Sequence, residues 1–138
     1  MDTKEQALEI LSLQPYGVMG TVMHTKPYAR IMTFIHDENL RLYTVAPEYS
    51  AILKQLESNP FTHILYGYKD ADDDTFLEIE GHVEIAHDNA KKAEILQTFN
   101  HIHHNTFNEE HNVLLCITPV RMRIMHTTNN EPRDVIIH

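Results

Sequence analysis

The chain is short of several things, and each shortage excludes something. Among its 138 residues there is one cysteine, Cys116, so no internal disulfide can form. That thiol sits in the apolar run Val113 to Ile117 and reads as an inert, buried side chain of the kind a reducing compartment permits. Basic residues are scarce, with 11 Lys and Arg against 20 Asp and Glu and a formal net charge of −9. Non-specific nucleic-acid binding needs clustered Lys and Arg, so DNA and RNA are not expected partners. No apolar stretch approaches the length of a membrane span. The N-terminus carries acidic residues early and lacks the basic, apolar, small-residue order of a signal peptide. These absences predict a soluble, cytoplasmic protein with no membrane partner. There is no internal repeat, low-complexity linker or boundary, and the length suits one domain spanning residues 1–138. No Ser-His-Asp, P-loop or glycosidase pattern is present, so no catalytic residue is assigned.

What is there reads mainly as strands. Asp2 to Leu13 has an amphipathic helical pattern with Ala7, Ile10 and Leu11 on one face, a capping box from Thr3 with Gln6 or Asp2 with Glu5, and Pro15 as its stop. Tyr16 to His24 is a strand, with Gly17 and Gly20 marking a bend or a close backbone approach. The central stretch, Lys26 to Pro60, reads as strand, tight turn, strand and short helix. Tyr28 to Ile35 is the first strand and Asp37-Glu38-Asn39 the turn, with the return strand beginning at Leu40. The helix runs from Pro47 to Ser58, before Asn59-Pro60. Arg30 lies inside the first strand. A charge there must reach water or a partner, and the pattern leaves both open.

Phe61 to Tyr68 is a further strand, Lys69 to Asp74 an acidic loop, and Thr75 to His87 an alternating strand with Glu78 and Glu80 on its wet side. Asp88 caps a helix from Asn89 to about Phe99. Val113 to Ile117 and Val120 to His126 are two last strands broken at Thr118-Pro119, and the tail carries an apolar patch from Val135 to Ile137. About six strands joined by short turns are antiparallel and close most easily as a small barrel. The fold class is therefore mainly β (α+β), a six-stranded antiparallel barrel with short flanking helices. His101, His103, His104 and His111 lack regular metal-ligand spacing, so no metal site is assigned. Asp72-Asp73-Asp74 reads as a solvated turn.

Several pieces, in order, resemble one family: the FMN-binding split β-barrels like pyridoxamine 5′-phosphate oxidase, in their general stress protein branch. The pieces are Gly20-Thr21-Val22, Pro27 to Met32, Leu40 to Tyr43, Ser50, Gln55-Leu56, Asn59-Pro60, the Tyr66 strand, Glu80 to Val83, and Leu114 to Pro119. The resemblance implies a homodimer with FMN as cofactor at the subunit interface. Arg30 would hold the FMN phosphate, and Ile31, Met32 and Thr33 would run beside the isoalloxazine. Ser50 matches the serine of the family's phosphate loop, where hydroxyls, helix-start amides and a cation favour a dianion. Ala46 stands where the family often has threonine, Ala51 on an optional arginine, and Ile52 where it has a phosphate-binding lysine. Lys54, about 200° further around a helix, does not replace it. Two classes of function stay open. One is an FMN-dependent oxidoreductase, in which the flavin carries the chemistry. The other is a non-catalytic, dimeric, ligand-binding or stress-related protein of the same fold with weak or no FMN binding. The short chain and missing basic residues argue against pyridoxamine phosphate oxidase activity itself.

Overall fold

In the computed structural model, which describes residues 1–128 and 131–137, helix α1 spans Thr3–Leu13. Asn129, Asn130 and His138 of the predicted tail lie outside the described residues. Of the two capping boxes, Asp2 makes the contact: its Oδ1 accepts the Glu5 N–H at 2.8 Å, satisfying one orphan donor of the first turn. Ala7, Ile10 and Leu11 form the buried face of α1.

The strands are β1 (Tyr16–Met23), β2 (Lys26–Thr33), β3 (Ile35–His36), β4 (Leu42–Pro47), β5 (Phe61–Tyr66), β6 (Thr75–Ile85), β7 (Asn112–His126) and β8 (Arg133–Asp134). Helix α2 is Ala51–Ser58 and helix α3 is Asn89–His103. They form one eight-stranded sheet ordered β2-β1-β5-β6-β7-β4-β3, with β8 on β7 and every pair antiparallel. The sheet curls into a half-barrel with three helices, an α+β split barrel.

Among the described residues there are eight strands rather than about six, and two local events change the predicted boundaries, one adding a strand and one merging two. The first is at Phe34. This ring is 2 % exposed, and its N–H leaves the ladder to donate to the Pro15 carbonyl at 2.7 Å. The predicted strand Tyr28 to Ile35 is therefore cut. β2 pairs with β1, and the tight turn joins β3 to β4 instead. Asp37 builds that turn, its Oδ1 accepting the Asn39 and Arg41 N–H groups at 2.9 and 3.0 Å, as an Asx turn does. The second event is at Pro119. The two predicted closing strands are one strand of 15 residues. Glu80 pairs with Arg121 but Gly81 pairs with Pro119, so Val120 is bulged out. A bulge is where a sheet tolerates a residue without an N–H. β8, in the tail, is an addition that sequence patterning does not anticipate.

Inside the curl, Met19, Ile64, Ile79 and Met122 form one cross-strand row and are fully buried. Leu77, Ile117 and Ile124 extend this core, which α1, α2 and Val135 of the tail help to close. A smaller cluster lies across β4 and β7, where Tyr43, Val45 and Leu114 meet Ile95, Leu96 and Phe99 of α3. Cys116 borders it, only half-buried, and burial pushes its thiol up from the ordinary value. Among the described residues no helix is long and apolar enough to cross a membrane.

Candidate functional site

Strand alternation decides where the residues after Arg30 point. Arg30 lies opposite Met19, so it projects to the inner side of the sheet at its open edge. There Nη1 donates to Thr21 Oγ1 at 2.8 Å and to the Met19 carbonyl at 3.3 Å, and Nη2 donates to Gln55 Oε1 at 2.7 Å. Thr21 Oγ1 in turn donates to the same Gln55 oxygen at 2.5 Å. Arg30 thus reaches a partner rather than open water, tying β2 across β1 to helix α2. Every one of these partners is neutral, and no ion pair among the described residues includes Arg30. Partial burial draws its guanidinium below the ordinary value, but a guanidinium remains charged in a protein. Three of its five N–H groups are used, which leaves donors for an anion.

Ile31 points the other way. It is 75 % exposed, in one outer row with Val18 and Leu65. Met32 returns inward and packs on the main core. Thr33 is buried at the strand end, its hydroxyl 2.9 Å from His103 Nε2 and its carbonyl accepting the Thr44 hydroxyl at 2.7 Å.

The α2 start differs from its predicted form. Pro47 ends β4, and the helix begins only at Ala51, with Ser50 as its N-cap. Ser50 makes no side-chain cap bond, and its buried Oγ has no hydrogen-bond partner. Leaving a buried hydroxyl unsatisfied costs about 1–3 kcal/mol. Just beyond it the Leu53 N–H donates to the Ser50 carbonyl at 3.2 Å, which leaves the Ala51 and Ile52 amides as the first-turn donors. Tyr49, before Ser50, is 86 % exposed and holds a left-handed backbone at φ 66°. Glu48 is tied to His111 twice, its N–H on the His111 carbonyl at 2.9 Å and its Oε1 at 2.9 Å from Nδ1.

Ala46 and Ile52 serve the interior. Both belong to the main core, where Ile52 packs in the cluster that includes Leu56. The structure therefore brings Arg30 to Gln55 and Thr21, leaves the buried Ser50 hydroxyl unpartnered at the helix start, and buries Ile52 in the core. Gln55 and Thr21 were missed as site residues. Both stand in the motif pieces Gly20 to Val22 and Gln55-Leu56, but no local pattern marks them as partners of Arg30. The donor set at the start of α2 fits a phosphate, with one arginine on the flank of the same helix and no lysine in the cradle.

Two clefts adjoin this region. One of about 660 Å³ is lined by Gly20, Thr21, Tyr28, Phe61, His63 and Glu80 among others. The other, about 430 Å³, is almost wholly apolar and includes Tyr16, Val18, Ile31, Leu65, Tyr68 and Phe76. On the same outer face Glu78 is half-buried between Arg123, which donates to it twice, and His63 at 3.5 Å. Its predicted role as plain wet surface is too simple.

The helix α3 runs on through the histidine stretch. His103 joins Phe99 and Phe107 in mutual ring contacts, and His104 is the left-handed cap. Among the described residues no three His, Cys, Asp or Glu side chains converge as metal ligands.

A family model described as pyridoxamine 5′-phosphate oxidase matches residues 3–126. General stress protein 26 of Bacillus subtilis is 30 % identical over 132 residues, covering 95 % of this chain and 94 % of that one. The crystal structure of General Stress Protein 26 from Bacillus anthracis superposes with a TM-score of 0.81 at 27 % identity, covering 98 % of each chain. An F420 reductase superposes at a TM-score of 0.66 and 21 % identity, covering 86 % of this chain and 94 % of its own, and shows the shared fold alone. With matches that run almost from end to end, the chain belongs to the pyridoxamine 5′-phosphate oxidase family.

Proposed function

We propose that the protein is an FMN-binding flavoprotein of oxidoreductase type that works as a homodimer. The observation that carries this reading is the Ser50 hydroxyl, buried and unpartnered at the start of α2. A phosphate oxygen is the acceptor such a hydroxyl lacks, and the Ala51 and Ile52 amides of the first turn favour the same negative charge. Ser50 and these amides would hold the phosphate, and the spare N–H groups of Arg30 would supply its cation. The Ile31 to Thr33 backbone would flank the ring system, with Thr33 steadied by His103 and Thr44. A bound flavin supplies hydride or electron transfer, and the protein supplies orientation and electrostatics. The outer row of Ile31, Val18 and Leu65 would be covered by the second copy.

A titration of FMN against riboflavin, read by flavin fluorescence, tests the phosphate assignment. FMN is expected to bind at least tenfold more tightly, since a charge-assisted contact of this kind contributes about 1.5–3 kcal/mol. Ser50→Ala should erase much of that preference while leaving the ligand-free fold as stable or more so, because it removes an orphaned hydroxyl. Equal affinity for the two flavins, or none for either, defeats the reading.

The position of Ile52 in the core and the engagement of Arg30 by Gln55 favour a second reading, a non-catalytic dimeric binding protein of the same fold. Anaerobic reduction of bound flavin by a reduced nicotinamide separates the two. A flavin that binds but is never reduced supports the second.

A further inference from the structure

The loop that carries Ser50 places a carboxylate only two residues from it. Glu48 would repel a phosphate seated at the start of α2, and the family's compensating lysine is replaced by buried Ile52. His111 answers that charge. Its Nδ1 lies 2.9 Å from Glu48 Oε1, and its carbonyl takes the Glu48 N–H at 2.9 Å. We infer that Glu48 and His111 are positioning residues that set the charge met by a phosphate at Ser50, the imidazole holding the carboxylate in a contact that keeps it from turning to the helix start. This rests on the phosphate reading given above and concerns how a site with a single arginine admits a dianion. The pair also fixes the corner where β4 ends and β7 begins, since Pro47 pairs with Asn112. Other charges at this corner are Glu109 and Glu110, which precede His111 in a 3-10 turn, and Lys92, whose Nζ donates to the Asn112 carbonyl at 3.0 Å. The carboxylate and imidazole are both substantially exposed, so either can be changed without opening the core. The backbone bond from Glu48 to His111 survives side-chain substitution and keeps the loop in place.

The two partners should therefore act with opposite sign. Glu48→Gln removes the negative charge and keeps an acceptor for His111; FMN should bind about three- to tenfold more tightly, as one nearby charge at a partly solvated site dictates. His111→Ala frees the carboxylate, and FMN should bind more weakly by a similar factor. The double variant Glu48→Gln with His111→Ala should resemble Glu48→Gln alone, because no carboxylate remains for His111 to restrain. Riboflavin, which has no phosphate, should bind all four proteins alike, and the differences for FMN should shrink in high salt. If both single variants weaken FMN, the pair is only a mechanical tether and the inference is overturned. If neither changes the affinity of a protein that prefers FMN, it is also overturned, while the phosphate reading stands. A wild-type protein that does not distinguish FMN from riboflavin overturns both.

Discussion

Arg30 reaches across strand β1 to Gln55 of α2, Nη2 to Oε1 at 2.7 Å, with Thr21 bonded to both. The arginine proposed to meet a cofactor phosphate is a strut between sheet and helix. Arg30→Ala should therefore weaken FMN binding by at least about tenfold and lower stability by about 1–2 kcal/mol, the lower part of the range for charged hydrogen bonds because the group is partly solvated. Arg30→Lys should recover only part of either, since an ammonium cannot fork between Thr21 and Gln55. Urea melts and flavin titrations on the same samples measure both. A loss of affinity with no loss of stability would show that the strut carries no load.

Ile52 is 8 % exposed in the main core. Placing a second phosphate-binding cation there should fail. Ile52→Lys buries an unpaired ammonium and is expected to cost several kcal/mol, enough to unfold much of the population at room temperature, whereas Ile52→Val should cost only about 1 kcal/mol. Chemical denaturation decides. A well-folded Ile52→Lys protein would mean that the side chain can swing out of the core toward the helix start.

Asp74 gives the acid limb of the stability curve a specific origin. Its Oδ2 accepts the hydroxyl and N–H of Thr128 and the Thr127 hydroxyl, and His126 Nδ1 lies 3.3 Å from Oδ1. These contacts, the Thr128 hydroxyl first, hold its carboxyl well below the usual carboxylate range. The predicted acidic turn is thus only partly a solvated one. A carboxyl with a lowered folded-state pKa contributes stability above its unfolded value of about 3.9 and loses it as pH falls through the folded value. Asp74→Asn should therefore melt below wild type near neutral pH, and the gap should narrow as pH drops below about 4. Thermal melts across pH check this, and a gap that stays constant contradicts it.

The outer face of β1, β2 and β5 exposes Ile31 (75 %), Phe61 (59 %), Leu65 (41 %) and Val18 (39 %). If a second copy covers it, the protein should sediment as a dimer at micromolar concentration. Ile31→Glu, a change at an exposed site, should give a folded monomer. A monomeric wild type, or a dimer indifferent to Ile31→Glu, removes this face from the assembly.

The sequence displayed the strands well where one face is dry. In β6 the alternation of Leu77 and Ile79 with Glu78 and Glu80 located the strand, and Ala7, Ile10 and Leu11 oriented α1 correctly. It hid the break at Phe34, because a buried aromatic looks the same whether its N–H serves the neighbouring strand or the Pro15 carbonyl. It suggested a gap at Pro119 because a proline in an uninterrupted strand is rare, and only the bulge opposite Glu80 and Gly81 explains its place. Arg30 and Ser50 stood out by residue type and order, and the structure gives Arg30 to Thr21 and Gln55 and leaves the Ser50 hydroxyl unpartnered. The partners Gln55 and His111 were not, since both meet the site from more than twenty residues away in the chain and nothing local marks them.

β2 and β3 stand at opposite ends of the strand order, yet only Phe34 separates them in the chain. The seam of the half-barrel is therefore closed by covalent bonds where hydrogen bonds are missing. One buried ring and its neighbouring peptides act as a hasp between two free edges, so the sheet cannot splay open without pulling Phe34 out of the core. Nicking the backbone at this residue would turn one curled sheet into a ribbon with two loose margins, each ready to pair with a foreign strand.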